Sequence, residues 1–137
     1  MGLILDSSVI IDAERRGETV ERLIERIVRA TGDQDASLSA VGLTELVHGV
    51  YRAATPERRL RRENFLSELL ADVTVYPYTK ETALLAGKID GEQQSRGAVI
   101  PFADLLIGAT ALELGYSVLT VNVRHFERIP GLSVVKL

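Results

Sequence analysis

The sequence contains no cysteine, which removes disulfides, thiolate nucleophiles and every zinc or iron–sulfur site built on sulfur. It has two histidines, His48 and His125, too few for a histidine-rich metal cage. Tryptophan is absent, and four tyrosines with three phenylalanines are a poor supply for a base-stacking platform. Positive charge is not in excess either: Lys+Arg 16 against Asp+Glu 19 leaves a net charge of −3 and a pI near 5.4. That balance argues against a protein that coats nucleic acid through bulk positive charge. No apolar run approaches the roughly eighteen residues that a membrane helix needs. The opening Met-Gly-Leu-Ile-Leu-Asp6 lacks a basic start and puts an acid where a signal peptide is apolar. The chain therefore reads as soluble and cytoplasmic, with no membrane partner.

What is present suits one folded domain spanning residues 1–137. A chain of this length buries roughly two-thirds of the surface its unfolded form exposes, so the core needs no covalent staples. Residues 2–5 are wholly apolar, as in a strand covered on both faces. Val20, Leu23, Ile24, Ile27 and Val28 recur at helical spacing, with Gly32 as a C-terminal stop. Residues 37–39 read as a very short strand, then Ser39 as the N-cap of a helix running to about Ala53. Thr55-Pro56 opens another helix, with Leu60, Phe65, Leu66, Leu69 and Leu70 expected inward. Residues 73–76 are β-rich and stop at Pro77; Thr79 caps a long helix to about Arg96, weakened by Gly87 and Gly91. Pro101 opens a helix whose expected buried stripe is Phe102, Leu105, Leu106, Ala109 and Leu112, ending at Gly115. Residues 118–121 form a further buried strand and 133–135 an edge strand. Short apolar strands alternating with helices predict the α/β class, built around a mostly parallel sheet.

In such sheets ligands bind beyond the carboxyl ends of the strands. Asp6 and Asn122 each follow a predicted strand, Asp104 lies in the first turn of the Pro101 helix, and Glu45 sits inside the helix that Ser39 begins. Taken singly, each has an ordinary structural reading: a helix cap for Asp6, a macrodipole partner for Asp104, a solvated surface acid for Glu45 and a turn residue for Asn122. One detail is shared by two of the acids. Gly49 follows Glu45 by four residues and Gly108 follows Asp104 by four, so each acid shares its helix face with bare backbone. Such glycines permit either close packing or close approach of a ligand.

Four blocks in order resemble the PIN-domain ribonucleases, and within them the VapC toxins of bacterial toxin–antitoxin pairs. They are Leu-Ile-Leu-Asp6-Ser-Ser8-Val-Ile-Ile-Asp, Ser39-Ala-Val-Gly-Leu-Thr-Glu45-Leu-Val-His-Gly49, Asp104-Leu-Leu-Ile-Gly-Ala-Thr-Ala-Leu-Glu-Leu-Gly, and Leu119-Thr120-Val-Asn122-Val-Arg-His125-Phe126-Glu-Arg-Ile-Pro-Gly131-Leu. The resemblance spans essentially the whole chain. It implies a three-layer α/β/α sandwich with a central, mostly parallel sheet, and it maps Asp6, Glu45 and Asp104 onto the family's acidic triad. Asn122 takes a fourth position that is often Asp in the family, at the loss of one negative charge. Ser8 and Thr120 match hydroxyl positions that lie beside the family's site.

Such a set suits metal-assisted hydrolysis of a phosphodiester. A hard divalent cation, Mg²⁺ or Mn²⁺, takes oxygen ligands, polarises the phosphate and lowers the pKa of its water. Without a cation, several carboxylates in one pocket repel, and one of them takes up a proton at a raised pKa. The expected roles are Asp6 and Asp104 as metal ligands, Glu45 positioning the attacking water or completing the outer shell, and Asn122 hydrogen-bonding water around the ion. The resemblance further implies cleavage of single-stranded or loop RNA, a homodimer, and a small antitoxin whose C-terminal segment occupies the toxin's groove. A mean hydropathy of +0.12 is consistent with a surface covered by a partner. Arg124 and Arg128 follow Asn122 closely and are candidate RNA contacts. Arg52, Arg58, Arg59, Arg61 and Arg62, laced with Glu57, Glu63 and Glu68, read instead as a solvated helix face. Other readings from the sequence are a PIN fold that has lost catalysis and binds RNA or protein, and a PIN nuclease of RNA processing. Glu45-x-x-His48 is only half of a di-iron motif, and Ser8 stands where an aspartyl-phosphate enzyme needs a second Asp; neither chemistry is expected.

Overall fold

The structure, a computed structural model, describes residues 1–137. Its centre is β1 (Gly2–Leu5), apolar at every position because helices cover both of its faces. Successive side chains point to opposite sides. Leu3 and Leu5 enter one core with Leu38 of β2 (Asp35–Ser39) and Leu119 of β4 (Ser117–Thr120), while Ile4 enters a second core with Val118 of β4. The first core is closed by Val9, Ile10 and Ala13 of α1 (Ser7–Arg15), Val20, Leu23 and Ile27 of α2 (Val20–Thr31), Leu46 and Val50 of α3 (Ala40–Tyr51), and Leu66 and Leu69 of α4 (Pro56–Asp72). The second is closed by Ala86 and Ile89 of α5 (Lys80–Ser95), by α6 (Phe102–Leu114), and by Phe126 and Ile129 of the C-terminal segment. The result is the expected three-layer α/β/α sandwich.

With β3 (Thr74–Tyr76) and β5 (Val134–Lys136) at its edges, the sheet has five strands in the order β3-β2-β1-β4-β5. Every neighbouring pair is parallel. From β1 the chain first builds outward through β2 and β3, then returns to the other side of β1 with β4. The strand order therefore reverses between β1 and β4, and the crevice at their carboxyl ends is where an open parallel sheet presents a ligand site.

Local chemistry sets most boundaries. Thr19, Ser39, Thr55 and Thr79 each accept the backbone N–H three residues on, capping α2, α3, α4 and α5. Gly115 ends α6 in the left-handed conformation, φ 70°. Helix α5 runs unbroken through Gly87 and Gly91. No helix is long and apolar enough to cross a membrane.

Three expectations need correction. Residues 7–15 form α1, to which the periodicity gave no element. Phe102 is 70% exposed and Leu60 57% exposed, with Leu70 exposed as well, so the inward stripes of α6 and α4 are misplaced at these positions. Helix α6 is enclosed by the sheet, α5 and the C-terminal segment, and buries Leu105, Ile107, Ala109, Thr110 and Ala111 on several faces. A helix covered on most of its circumference has no single apolar stripe for a 3.6-residue pattern to find.

Candidate active site

Asp6 is the first residue after β1, and its backbone N–H donates to Leu119 O of β4 at 2.9 Å. That bond seats it in the crevice between the two strands, where it is only 3% exposed. It stands at the N-cap position of α1, but its side chain makes no capping bond. The carboxylate instead receives two hydroxyls on the same oxygen: Ser8 Oγ donates to Oδ2 at 2.7 Å and Thr120 Oγ1 at 2.9 Å. Ser8 Oγ and Thr120 Oγ1 lie 3.2 Å apart, in contact, with both of their hydrogens given to Asp6. All hydrogen bonds to the carboxyl thus fall on Oδ2, and Oδ1 accepts none. These two bonds hold the orientation of Asp6, and leaving the buried Thr120 hydroxyl without a partner would cost on the order of 1–3 kcal/mol.

Helix α3 packs on both α1 and α6, and by doing so it carries Glu45 to the same crevice. Ser7, at the start of α1, donates its hydroxyl to Glu45 Oε1 at 3.0 Å. Glu45 is half-buried, and its pKa is raised: burial is the main cause, the Ser7 hydroxyl pulls the other way, and the charge of Asp6 adds to the rise. Asp104, in the first turn of α6, is pushed up to about 6 by burial first and by the charge of Asp6 next; nearby His125 lowers it and Glu45 raises it further. The three acids of separate elements therefore feel one another. They are neighbours rather than a closed cage, since no three carboxylate or histidine side chains converge as ligands of one ion. The donor chemistry fits a hard divalent cation nonetheless: it is all oxygen, it is anionic, and Mg²⁺ needs only one or two carboxylates with water filling its other positions.

Asn122 lies at the exposed rim, tied in through its backbone N–H, which donates to Thr120 Oγ1 at 2.9 Å. Arg124 is exposed and has no ion-pair partner, whereas Arg128 donates to Val99 O at 2.9 Å. Two site residues escaped the sequence reading. Ser7 is the hydroxyl that orients Glu45, and His125 places Nδ1 3.1 Å from Asp104 Oδ2. A histidine three residues beyond Asn122 was the available signal, but no local pattern links it to α6.

The two glycines that follow the acids do different things. A Cβ on Gly108 would stand 2.4 Å from Ile129 Cδ1 and 3.2 Å from Leu132 Cδ2, so its bare backbone seats the C-terminal segment. A Cβ on Gly49 would meet nothing within 4 Å. Gly49→Ala should therefore stabilise the fold by up to about 1 kcal/mol of helix propensity, while Gly108→Ala should forfeit that gain because the buried Ile129 side chain must shift to admit the new methyl. Thermal unfolding of both variants checks this; a Gly108→Ala protein as stable as Gly49→Ala would sink the distinction.

Residues 3–132 match the PIN domain family. The chain is 33% identical over 135 residues to Ribonuclease VapC1 of Rickettsia felis, covering 98% of this chain and 96% of that protein. It is 35% identical over 98 residues to the tRNA(fMet)-specific endonuclease VapC of Salmonella typhimurium, 71% of each chain. Among solved structures, the DNA-bound VapBC complex of Salmonella typhimurium superimposes with a TM-score of 0.82 at 27% identity, covering 99% of this chain and 98% of that one. Family match, identity over nearly the whole length and shared architecture lead to one conclusion: the chain belongs to the PIN domain family, and within it to the VapC ribonucleases.

Proposed function

We propose that the chain is a Mg²⁺- or Mn²⁺-dependent endoribonuclease toxin that cleaves single-stranded or loop RNA and is silenced by a small antitoxin. The observation that carries this reading is the set of neighbouring carboxylates, Asp6, Glu45 and Asp104, at the reversal of strand order. Burial and the charges of Asp6 and Glu45 push Asp104 up to about 6, and His125 offsets them only in part. Asp6 and Asp104 would hold the ion. Bound there, a divalent cation offsets charge growing on the phosphate oxygens and acidifies water. The protein's part is positioning. Ser8 and Thr120 hold Asp6 Oδ2 so that Oδ1 keeps a preset direction. Glu45, oriented by Ser7 and with its proton affinity raised, is suited to align the attacking water and accept its proton. Asn122 offers a neutral amide at the rim, and Arg124 a free cation for RNA phosphate.

The partner reading rests on a groove of about 140 Å³ between α1, α3 and α4, lined by Ile10, Ile11, Leu46, Val50 and Phe65 with Arg62 at its edge. Beside it, Arg15, Arg58, Arg61 and Arg62 outnumber Glu14 around a second hollow without apolar side chains. An apolar segment carrying acidic residues fits both, as an antitoxin tail would. Exposed Leu84, Val99 and Phe102 on the α5–α6 side support a homodimer contact.

The test is incubation of the antitoxin-free protein with total RNA and Mg²⁺ or Mn²⁺, with an EDTA control. Discrete fragments that disappear with EDTA are expected. Intact RNA with a well-folded protein would favour a binding module that has lost catalysis.

A further inference from the structure

His125 occupies a place that its sequence neighbourhood does not explain. It ends a short 3₁₀ turn (Val123–His125), half of its side chain is exposed, and its Nδ1 lies 3.1 Å from Asp104 Oδ2. At this distance the ring nitrogen stands directly against the carboxylate oxygen, as a close polar contact. The imidazolium and the neutral Nδ1–H tautomer each turn a hydrogen toward that oxygen; the neutral Nε2–H tautomer does not. The chain goes to some length to put the ring there. Phe126, next in sequence, is fully buried against α6, and Ile129 and Leu132 rest on the bare backbone of Gly108, one helical turn after Asp104 on the same face. The packing that seats this segment on α6 also sets His125 against Asp104. Within the chain, the ring's other nitrogen has no hydrogen-bond partner.

We propose that His125 is a positioning residue for Asp104: it fixes the direction of the carboxylate so that the oxygen it leaves free meets a divalent cation. This rests on the metal site of the proposed function. It differs from the Ser8–Thr120 hold on Asp6 in one respect that makes it testable, because His125 is exposed and can be replaced without opening the core. Ligating carboxylates are commonly held by such outer hydrogen bonds, and losing one costs roughly 10–100-fold in metal affinity or activity.

The experiment compares the intact wild-type chain with His125→Ala, His125→Asn and His125→Gln. Asparagine places an amide nitrogen where Nδ1 stands; glutamine places one where Nε2 stands. Mn²⁺ binding is measured by titration calorimetry without RNA, and kcat and KM for RNA cleavage are measured separately. His125→Ala should weaken Mn²⁺ binding and lower kcat by about tenfold or more, with KM for RNA little changed. His125→Asn should return both to within about threefold of wild type, while His125→Gln stays with the alanine variant. Recovery by glutamine and not asparagine would overturn the proposal, because the outer nitrogen would then be touching metal or RNA directly. Wild-type Mn²⁺ affinity in His125→Ala would overturn it too, leaving a packing role alone. A wild-type protein that neither binds Mn²⁺ nor cleaves RNA would remove the metal site itself; an active wild type with unaffected variants would remove only this inference.

Discussion

Asp6→Asn is expected to slow metal-dependent RNA cleavage by about a thousandfold while leaving the fold intact. The two properties separate because the amide reproduces what holds the side chain but not what it does. Its oxygen still accepts the hydroxyls of Ser8 and Thr120, which both donate to Oδ2 in the native protein. The remaining position becomes a neutral nitrogen, unable to ligate a cation. Metal stabilisation of a phosphoryl transition state is worth several kcal/mol, and about 4 kcal/mol corresponds to a thousandfold in rate. Cleavage of RNA followed by gel over time, beside circular dichroism of both proteins, checks the prediction. Retention of more than about a tenth of the wild-type rate would mean that Asp6 is not a ligand. Unfolding of the variant would instead mean that the two hydroxyls require the full negative charge.

Asp104→Asn should do the opposite to stability, making the metal-free protein harder to unfold at neutral pH. Asp104 has a folded-state pKa near 6 against an ordinary value of 3.8. Such an acid favours the folded state while protonated; that contribution is complete below the unfolded value and is lost as pH rises through about 6. At pH 7.5 the folded protein therefore carries a charge that burial, Asp6 and Glu45 all disfavour. Two pKa units would be roughly 3 kcal/mol, and allowing for solvent screening at the pocket mouth we expect about 1–2 kcal/mol. In EDTA at pH 7.5 the variant should melt about 2–8 °C above wild type. The advantage should shrink as pH falls below about 6.5 and vanish near pH 4. Saturating Mn²⁺ should reverse the order, because binding to the folded state alone raises the wild type by mass action and not the variant. A variant less stable than wild type in EDTA would show that Asp104 is a structural acid. The predicted conflict is that of a catalytic pocket, where the charge needed for chemistry works against folding.

Local physics made a good part of this legible from the chain alone. The hydroxyl caps at Ser39, Thr55 and Thr79 and the Gly32 and Gly115 stops act within one helical turn, so a short window of sequence contains both donor and acceptor. The doubly buried β1 shows in composition, since no polar residue interrupts positions 2–5. Helix α1 was missed for an equally local reason: Val9-Ile10-Ile11 is a β-branched run that local preference reads as extended. Burying Val9, Ile10 and Ala13 in the core beneath it outweighs a cost of a few tenths of a kcal/mol per residue.

By itself, then, the sequence determined the class of fold, the helix ends, the candidate acids Asp6, Glu45 and Asp104, and the family to which their order belongs. Which of those acids meet was decided only by the tertiary structure. The strand order β3-β2-β1-β4-β5 sets β4 against β1 across more than a hundred residues of chain, giving Asp6 its Thr120 partner. The packing of α3 on α1 and α6 brings Glu45 and Asp104 to the same crevice, and the seat at Gly108 delivers His125 to Asp104. Parallel strands pair through long crossovers, and side chains on different helices meet through volume and shape. Neither leaves a periodic trace in the order of residues.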